Sequence, residues 1–462
     1  MSIDSIMAVW GRRLVIRVGT FAVASMSLAA AAAELSVPAP PQQQPILLEG
    51  GTVHTVSGAS IEQGRVLFDQ GRIVAVAGPD DALDLPEGTQ RIGLEGRHVY
   101  PGLISANTVL GLVEVDTVRG TVDIAETGVM NPNVRAEVAV NPASELFGVT
   151  RAAGILTALT VPQAGRDGLL GGRSALLRLD GWTWEDMTLQ SGVGMHVFWP
   201  TERGGGFGAI GVDSPEARRR AAEARVEQLD AFFARARAYR EARAADPALP
   251  RDLRLEALAP VLAREMPLVV HADELRQIEA ALNFVERHEL RLVLVGGYDA
   301  WRLTERLREL DAAVIVSTVH RLPLRRHEPY DTPFVLPRKL HEAGVPFAIA
   351  RVATTFASAH ERNLPFEAAT AAAFGLPREE ALRAVTLYPA QIFGVDDRIG
   401  AVAPGLQATL IVTDGDPLEI TTQIERAWID GREIDLASRH TRLYERYRQR
   451  YEVPAAGQGT RP

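Results

Sequence analysis

Two hydrophobic patterns divide the chain. In the middle, short and continuous apolar runs recur at Ile155–Val161, Leu268–His271, Leu292–Val295, Ala313–Val316 and Phe347–Ala350. Runs of that length and composition are expected of strands buried on both faces of a parallel sheet. Stretches of helical periodicity separate them: Pro215–Ala245, Glu274–Arg287, Asp299–Leu310, Leu336–Ala343 and Glu379–Val385. The longest carries its own start signal, Ser214 as N-cap before Pro215 in the first helical position. Val226, Leu229, Phe233 and Ala236 fall on one face of it and arginines fill the other, which reads as a solvated face.

The flanks read differently. Ile46–Leu48, Arg65–Phe68 and Arg72–Val76 are short apolar strands punctuated by Gly51, Gly64 and Gly71. The same punctuation returns at Ala408–Val412, Glu425–Ile429 and the turn Asp430-Gly431-Arg432. Two β segments bracketing an alternating middle predict an α/β fold: a TIM (β/α)8 barrel beside a small β-sandwich domain built from both chain ends. An open doubly wound sheet is the alternative, but no Gly-rich nucleotide fingerprint follows any strand.

The N-terminus reads as a targeting segment. Arg12, Arg13 and Arg17 precede the apolar stretch Val18–Ala33, which ends in Ala31-Ala32-Ala33, a small-residue cleavage site. The stretch is short for a membrane span of about 20 residues, and Gly, Ser and Thr dilute it. The paired arginines also fit the twin-arginine route. The expected organisation is therefore a signal peptide at 1–33, a linker at 34–45, the N-terminal part of the β-sandwich at 46–100, the barrel at 101–398, the C-terminal part of the sandwich at 399–435, and a helix and tail at 436–462. The expected location is periplasmic, with no stable membrane span after cleavage.

Composition narrows the chemistry. The chain has 462 residues, 46% hydrophobic and 23% charged, enough to bury a core without staples. It has no cysteine, which excludes disulfides, thiolate metal sites and cysteine nucleophiles. A net charge of −9 and the lack of a long basic run argue against nucleic acid as a partner. Lys339 is the only lysine.

Several segments, in order, resemble one family. Gly96-Arg97-His98-Val99-Tyr100-Pro101-Gly102-Leu103-Ile104-Ser105-Ala106 resembles the entry to the first barrel strand of amidohydrolases such as imidazolonepropionases. Ala152-Ala153-Gly154-Ile155-Leu156-Thr157-Ala158 resembles the second strand of that superfamily, and Glu380 through Gly394 its final helix. Ile399–Ala408 and Asp430-Gly431-Arg432 resemble its return to the sandwich and closing hairpin. The resemblance implies hydrolysis of non-peptide C–N bonds, chiefly in cyclic amides, by water activated on one or two divalent metals. It implies metal ligands after strands one, five, six and eight, with a carboxylated lysine on strand four of binuclear members.

Aligned on Pro101-Gly102, the first-strand histidines of the family fall on Asn107 and Val109, and valine cannot ligate metal. Lys339 lies in a late helix. The strand-five position keeps His271. The strand-six position leads into Gly296-Gly297, and strand eight leads into Arg351-Val352-Ala353 without an aspartate. The divalent metal expected of the family is therefore not expected to bind in the family manner.

His271 remains a candidate catalytic group, with His320 as a second. Asn107, His327, Glu328 and Arg351 are candidate ligand-binding residues. His320, Arg325, Arg326, His327, Glu328, Tyr330 and Asp331 crowd one Pro-rich loop, expected at the barrel mouth and expected to be fixed by ion pairs. Asp273 and Glu274 are expected to cap the next helix. Gly204-Gly205-Gly206 with Gly208 reads as a loop over the barrel top, without the Lys-Ser/Thr that a phosphate cradle needs. Two functions follow: a C–N hydrolase with an atypical or absent metal site, or a catalytically inactive amidohydrolase-fold protein that binds a ligand or a partner. A sugar hydrolase has little support, because no two strands end in carboxylates. Expected partners are a small-molecule ligand or substrate, and a paralogous amidohydrolase or a second copy of the chain.

Overall fold

In chain order the strands are β1 (Ile46–Val53), β2 (Ile61–Asp69), β3 (Arg72–Ala77), β4 (Gln90–Gly93), β5 (His98–Pro101), β6 (Leu103–Thr108), β7 (Ile155–Thr160), β8 (Leu170–Arg178), β9 (Thr188–Phe198), β10 (Leu268–Ala272), β11 (Leu292–Gly296), β12 (Ala313–Ser317), β13 (Phe347–Ala350), β14 (Leu410–Thr413), β15 (Ile424–Ile429) and β16 (Arg432–Glu433). They belong to a computed structural model that describes residues 37–165, 168–202 and 214–452. The expected signal peptide and the glycine-rich loop at 204–208 lie outside the described residues.

Both chain ends feed one eight-stranded sheet, in the order β16-β15-β14-β5-β1-β2-β3 with β4 paired to β1. The turn Asp430-Gly431 closes the β15–β16 hairpin as its sequence requires. The expected linker is corrected in part. Gln42 accepts from the Gly71 N–H at 2.9 Å and donates to the Phe68 carbonyl, while Ala39 N–H donates to Asp180 at 3.1 Å. Residues 39–42 are therefore docked on the fold, because side-chain amides satisfy sheet-edge backbone groups there.

The second sheet runs β13-β12-β11-β10-β9-β8-β7-β6 and curls into a nearly closed eight-strand barrel. It departs from the expected all-parallel (β/α)8 pattern at one strand: β8 is antiparallel to both neighbours. The reason is connection length. Parallel crossovers need about a dozen residues or more, and 161–169 and 179–187 are shorter than that. The next connection, 199–267, is long enough to carry the helix Pro215–Ala245 and restores parallel pairing at β10. Ser214 caps that helix as predicted, accepting from the Ala217 N–H at 3.2 Å, and Leu229, Phe233 and Ala236 are buried.

Alternation along the strands divides the core. Val269, Val293, Val295, Ile315, Ala348 and Ala350 point into the barrel. Their sequence neighbours Leu268, Val270, Leu294, Val314 and Ile349 face the helical layer. Gly194 is required for this packing, since a Cβ there would lie 2.4 Å from Val269 Cγ2.

The N-terminal ends of β10 to β13 share one device. Each preceding helical turn ends in a left-handed residue: Arg264 (φ 63°), Glu289 (φ 55°), Asp311 (φ 50°) and Gly344 (φ 67°). After each, the next N–H reaches five residues back, Glu265 to Pro260, Leu290 to Val285, Ala312 to Leu307 and Val345 to Leu340, all at 2.9–3.0 Å. These bonds satisfy orphan helix carbonyls and aim the chain into the strand. The expected helix Asp299–Leu310 is broken into a 3-10 turn, Ala300–Arg302, and a short helix, Thr304–Glu309.

Candidate functional site

The C-terminal ends of the barrel strands hold most of the candidates. His271 lies near the end of β10 and points inward, its ring stacked on Phe198 of β9 with centroids 4.2 Å apart. His196, two residues earlier on β9, is fully buried and also faces inward. Its Nδ1 lies 2.9 Å from His271 Nε2. One ring must donate to the other, so the pair shares a single N–H along that line. Burial pushes the His271 imidazole down to about 3 and holds His196 well below the ordinary histidine range, a neighbouring imidazole adding to the effect. Both rings are neutral near pH 7. An imidazole with so low a pKa is a weak general base at that pH.

Across the barrel, Asn107 near the end of β6 spans the opening between β6 and β13. Its amide donates to the Arg351 carbonyl at 3.0 Å and approaches Ser317 Oγ of β12 at 3.5 Å. β6 and β13 share no ladder, so this side chain helps to close the barrel. Asn107 Oδ1 and His196 Nε2 are buried without a hydrogen-bond partner among the described residues. Val109 is buried against Val113 and Ala353.

Arg351 extends from β13 into a salt bridge with Glu367 at 2.5 Å. Glu367 is fully buried in the helix Leu364–Ala373, and it also accepts from Thr318 Oγ1 (2.8 Å), Val319 N–H (2.6 Å) and His320 N–H (2.8 Å). One carboxylate thus fixes the backbone leaving β12 and the cation leaving β13. A second buried acid, Glu361, accepts from Ser105 Oγ of β6 at 2.7 Å. Burial raises its pKa to about 7, against the pull of Ser105 and the charge of Arg351.

His327 and Glu328 separate from this group, while His320 stays beside it, its Nδ1 3.6 Å from Glu367 Oε1. His320 Nε2 lies 2.6 Å from Thr370 Oγ1, directed at the outer helix. Glu328 accepts from Tyr298 OH (2.7 Å), Arg325 N–H (2.9 Å) and the Arg325 guanidinium (2.5 Å), and Arg325 also grips Asp299. Glu328 therefore ties the 321–331 loop to the 298–299 turn, and His327 is exposed beside it. Glu274 caps the helix Leu275–His288 in a capping box with Gln277. Asp273 departs from its expected capping role: it binds Arg321 at 3.0 Å and the Tyr298 N–H at 3.3 Å.

Sequence reading missed His196, Glu361 and Glu367. His196 sits in Gly194-Met195-His196-Val197-Phe198, where the glycine broke the strand pattern. Glu367 had a usable signal, a lone charge in Leu364-Pro365-Phe366-Glu367-Ala368-Ala369. An acid in such an apolar helix needs a buried partner.

Among the described residues no three His, Asp or Glu side chains converge as a cation site. The two imidazoles spend facing nitrogens on each other, and the eighth strand leads into the guanidinium of Arg351.

Comparison with known proteins agrees with this fold. Residues 336–434, from the helix before β13 through β16, match the model of the amidohydrolase family. Amidohydrolase tasK of Hapsidospora irregularis is 24% identical over 402 residues, which cover 80% of this chain and 39% of the relative. The chain thus aligns with well under half of that curated relative's length. An amidohydrolase from Thermotoga maritima superposes with a TM-score of 0.73 at 23% identity, over 84% of this chain and 99% of its own. An adenosine deaminase from Xanthomonas campestris with bound zinc superposes at 0.50 and 17% identity, over 90% of this chain and 100% of its own. Residues 336–434 are thus similar to the amidohydrolase family, within a barrel fold like that of a solved amidohydrolase.

Proposed function

We propose that this is an amidohydrolase-fold protein whose barrel mouth binds a small polar ligand without metal-dependent hydrolysis. The observation that carries the reading is the hydrogen bond between His196 and His271. When His271 Nε2 accepts the shared proton, its lone pair is committed to His196; a metal on that nitrogen would have to break the pair, and would sit in the field of Arg351. What the mouth offers instead is an aromatic face at Phe198, neutral imidazoles and the unpartnered carbonyl oxygen of Asn107. That set suits an uncharged ring with amide-like N–H groups, the substrate class implied by the resemblance of residues 96–106 to imidazolonepropionase-like amidohydrolases. Within this reading, the sheet built by both chain ends is the small β-sandwich expected beside the barrel. Residues 1–33 act as an export signal, and N-terminal sequencing of the periplasmic form should begin at Glu34.

The test is to incubate the purified chain with hydantoin, dihydrouracil and 2-pyrrolidinone, with and without added zinc or manganese. Ligand-induced rises in Tm and ring opening by mass spectrometry are the readouts. The expected result is a metal-independent rise in Tm without turnover. Metal-dependent ring opening that disappears in His271→Ala would establish the hydrolase instead.

A further inference from the structure

At the opposite end of the barrel, a cleft of about 660 Å³ opens where β10 to β13 begin. That volume lies within the range of roughly 300–1,000 Å³ typical of small-molecule sites. Its inner wall is apolar: Leu292, Val293, Ala313 and Phe347 are buried, with Ile392 beside them. Two guanidiniums stand at one side, Arg264 and Arg291. Neither is bonded to a carboxylate among the described residues. Arg264 donates to the Glu289 carbonyl at 3.2 Å, and Arg291 makes only long contacts, 3.4 and 3.5 Å, to the carbonyls of Arg264 and Glu265. Both arginines line the cleft, the Arg291 guanidinium beside the Arg264 backbone, and among the described residues few of their donors are taken.

Asp311 stands on the other side, one strand along. Tyr388 is occupied, its hydroxyl donating to Glu380, and His341 lies 3.6 Å from the same carboxylate. The positions of Arg264 and Asp311 are fixed by the left-handed caps that end their helical segments, so both charges sit on rigid backbone.

We propose that this cleft is a second binding site, for a monoanionic carboxylate with an apolar body. The carboxylate would bridge Arg264 and Arg291 in the forked geometry guanidinium favours. The body would lie on Val293 and Phe347. Asp311 limits the charge the cleft accepts, disfavouring phosphate dianions. The site does not depend on what the barrel mouth binds.

The test uses the purified full chain with octanoate, benzoate and indole-3-acetate as probes, and with octanol, octylamine and phenyl phosphate as controls, measured by titration calorimetry. At least one acid should bind saturably, and the controls should not compete with it. Arg291→Gln and Arg264→Gln should each weaken binding by about tenfold or more, with Arg291→Lys intermediate. Both arginines are exposed, so an unchanged Tm without ligand verifies that the variants fold. Absence of saturable binding by all three acids would overturn the proposal. So would equal affinity in Arg291→Gln, or tighter binding of octylamine.

Discussion

The two ends of this barrel are built by different rules. At the N-terminal end, four helical segments stop at left-handed residues and feed β10 to β13 through the same five-back hydrogen bond. Each stop involves residues no more than five positions apart. At the C-terminal end nothing repeats. His196 meets His271 75 residues away, Asn107 meets Arg351 across 244 residues, and Ser105 meets Glu361 across 256. Four buried polar atoms there have no hydrogen-bond partner among the described residues, Asn107 Oδ1, His196 Nε2, Arg351 Nε and Glu361 Oε2. One end is a set of local solutions to ending a helix. The other is a long-range polar assembly that holds stored electrostatic cost, the usual signature of a binding site.

If that contrast is right, substitutions at the two ends should differ in size and in pH dependence. The largest effect is expected at Glu367. Glu367→Ala leaves Arg351 without its buried partner and strands the Val319 and His320 N–H groups, for a loss of about 3–5 kcal/mol in urea unfolding. A loss below about 1 kcal/mol would mean that the assembly is not held as described.

Glu361 should act in the opposite direction. Its folded pKa is raised from 4.5 to about 7, so its contribution is fully present below about pH 4.5 and is lost as pH rises through 7. Glu361→Gln should therefore gain up to about 3 kcal/mol over the wild type at pH 8, with the gain vanishing near pH 4. The histidine pair has the reverse sign. Its lowered pKa values give stability that is present above about 6.5 and lost as pH falls towards 3. Together they predict a stability that rises with pH up to about 6.5, where two histidines outweigh one carboxyl, and then falls as pH passes 7; a pH series of chemical denaturations on wild type and Glu361→Gln would separate the two limbs.

The next effect in size concerns the pair itself. Single His196→Phe and His271→Phe variants should each lose about 1–3 kcal/mol, because each leaves a buried ring nitrogen without its partner. The double variant should lose less than the sum, and strict additivity would show that the rings do not interact.

The smallest effects belong to the N-terminal end. Glu289→Gly should gain about 0.5–1 kcal/mol by relieving a left-handed residue with a side chain, while Gly344→Ala should lose about 1 kcal/mol. Both should be independent of pH, as measured by Tm across the same buffers.

The same contrast explains what could be read in the sequence. Strands β10 to β13, the helix at Pro215–Ala245 and the hairpin at Asp430-Gly431 were legible because local periodicity and turn residues specify them. β8 and β9 were not, because Gly171, Gly172, Gly192 and Gly194 interrupt the apolar alternation and register shifts follow. His271 and Asn107 were legible as positions, through their distance from Pro101-Gly102 and their place at strand ends. Their partners were not, since no local pattern joins residue 196 to 271 or 105 to 361. His320 and Glu328 stand in a dense polar loop, and their contacts run to Glu367, Thr370, Tyr298 and Arg325. Density in sequence marked a loop tied to the 298–299 turn and to the helix Leu364–Ala373.

The central claim is that hydrogen bonds within the protein organise the barrel mouth where the family resemblance implies a metal. It is tested most directly by the metal content of the purified chain, expressed with zinc, manganese and iron available and measured by plasma mass spectrometry. The account predicts substoichiometric metal, with no difference between wild type and His271→Ala. A stoichiometric, dialysis-resistant metal that is lost in His271→Ala would contradict it.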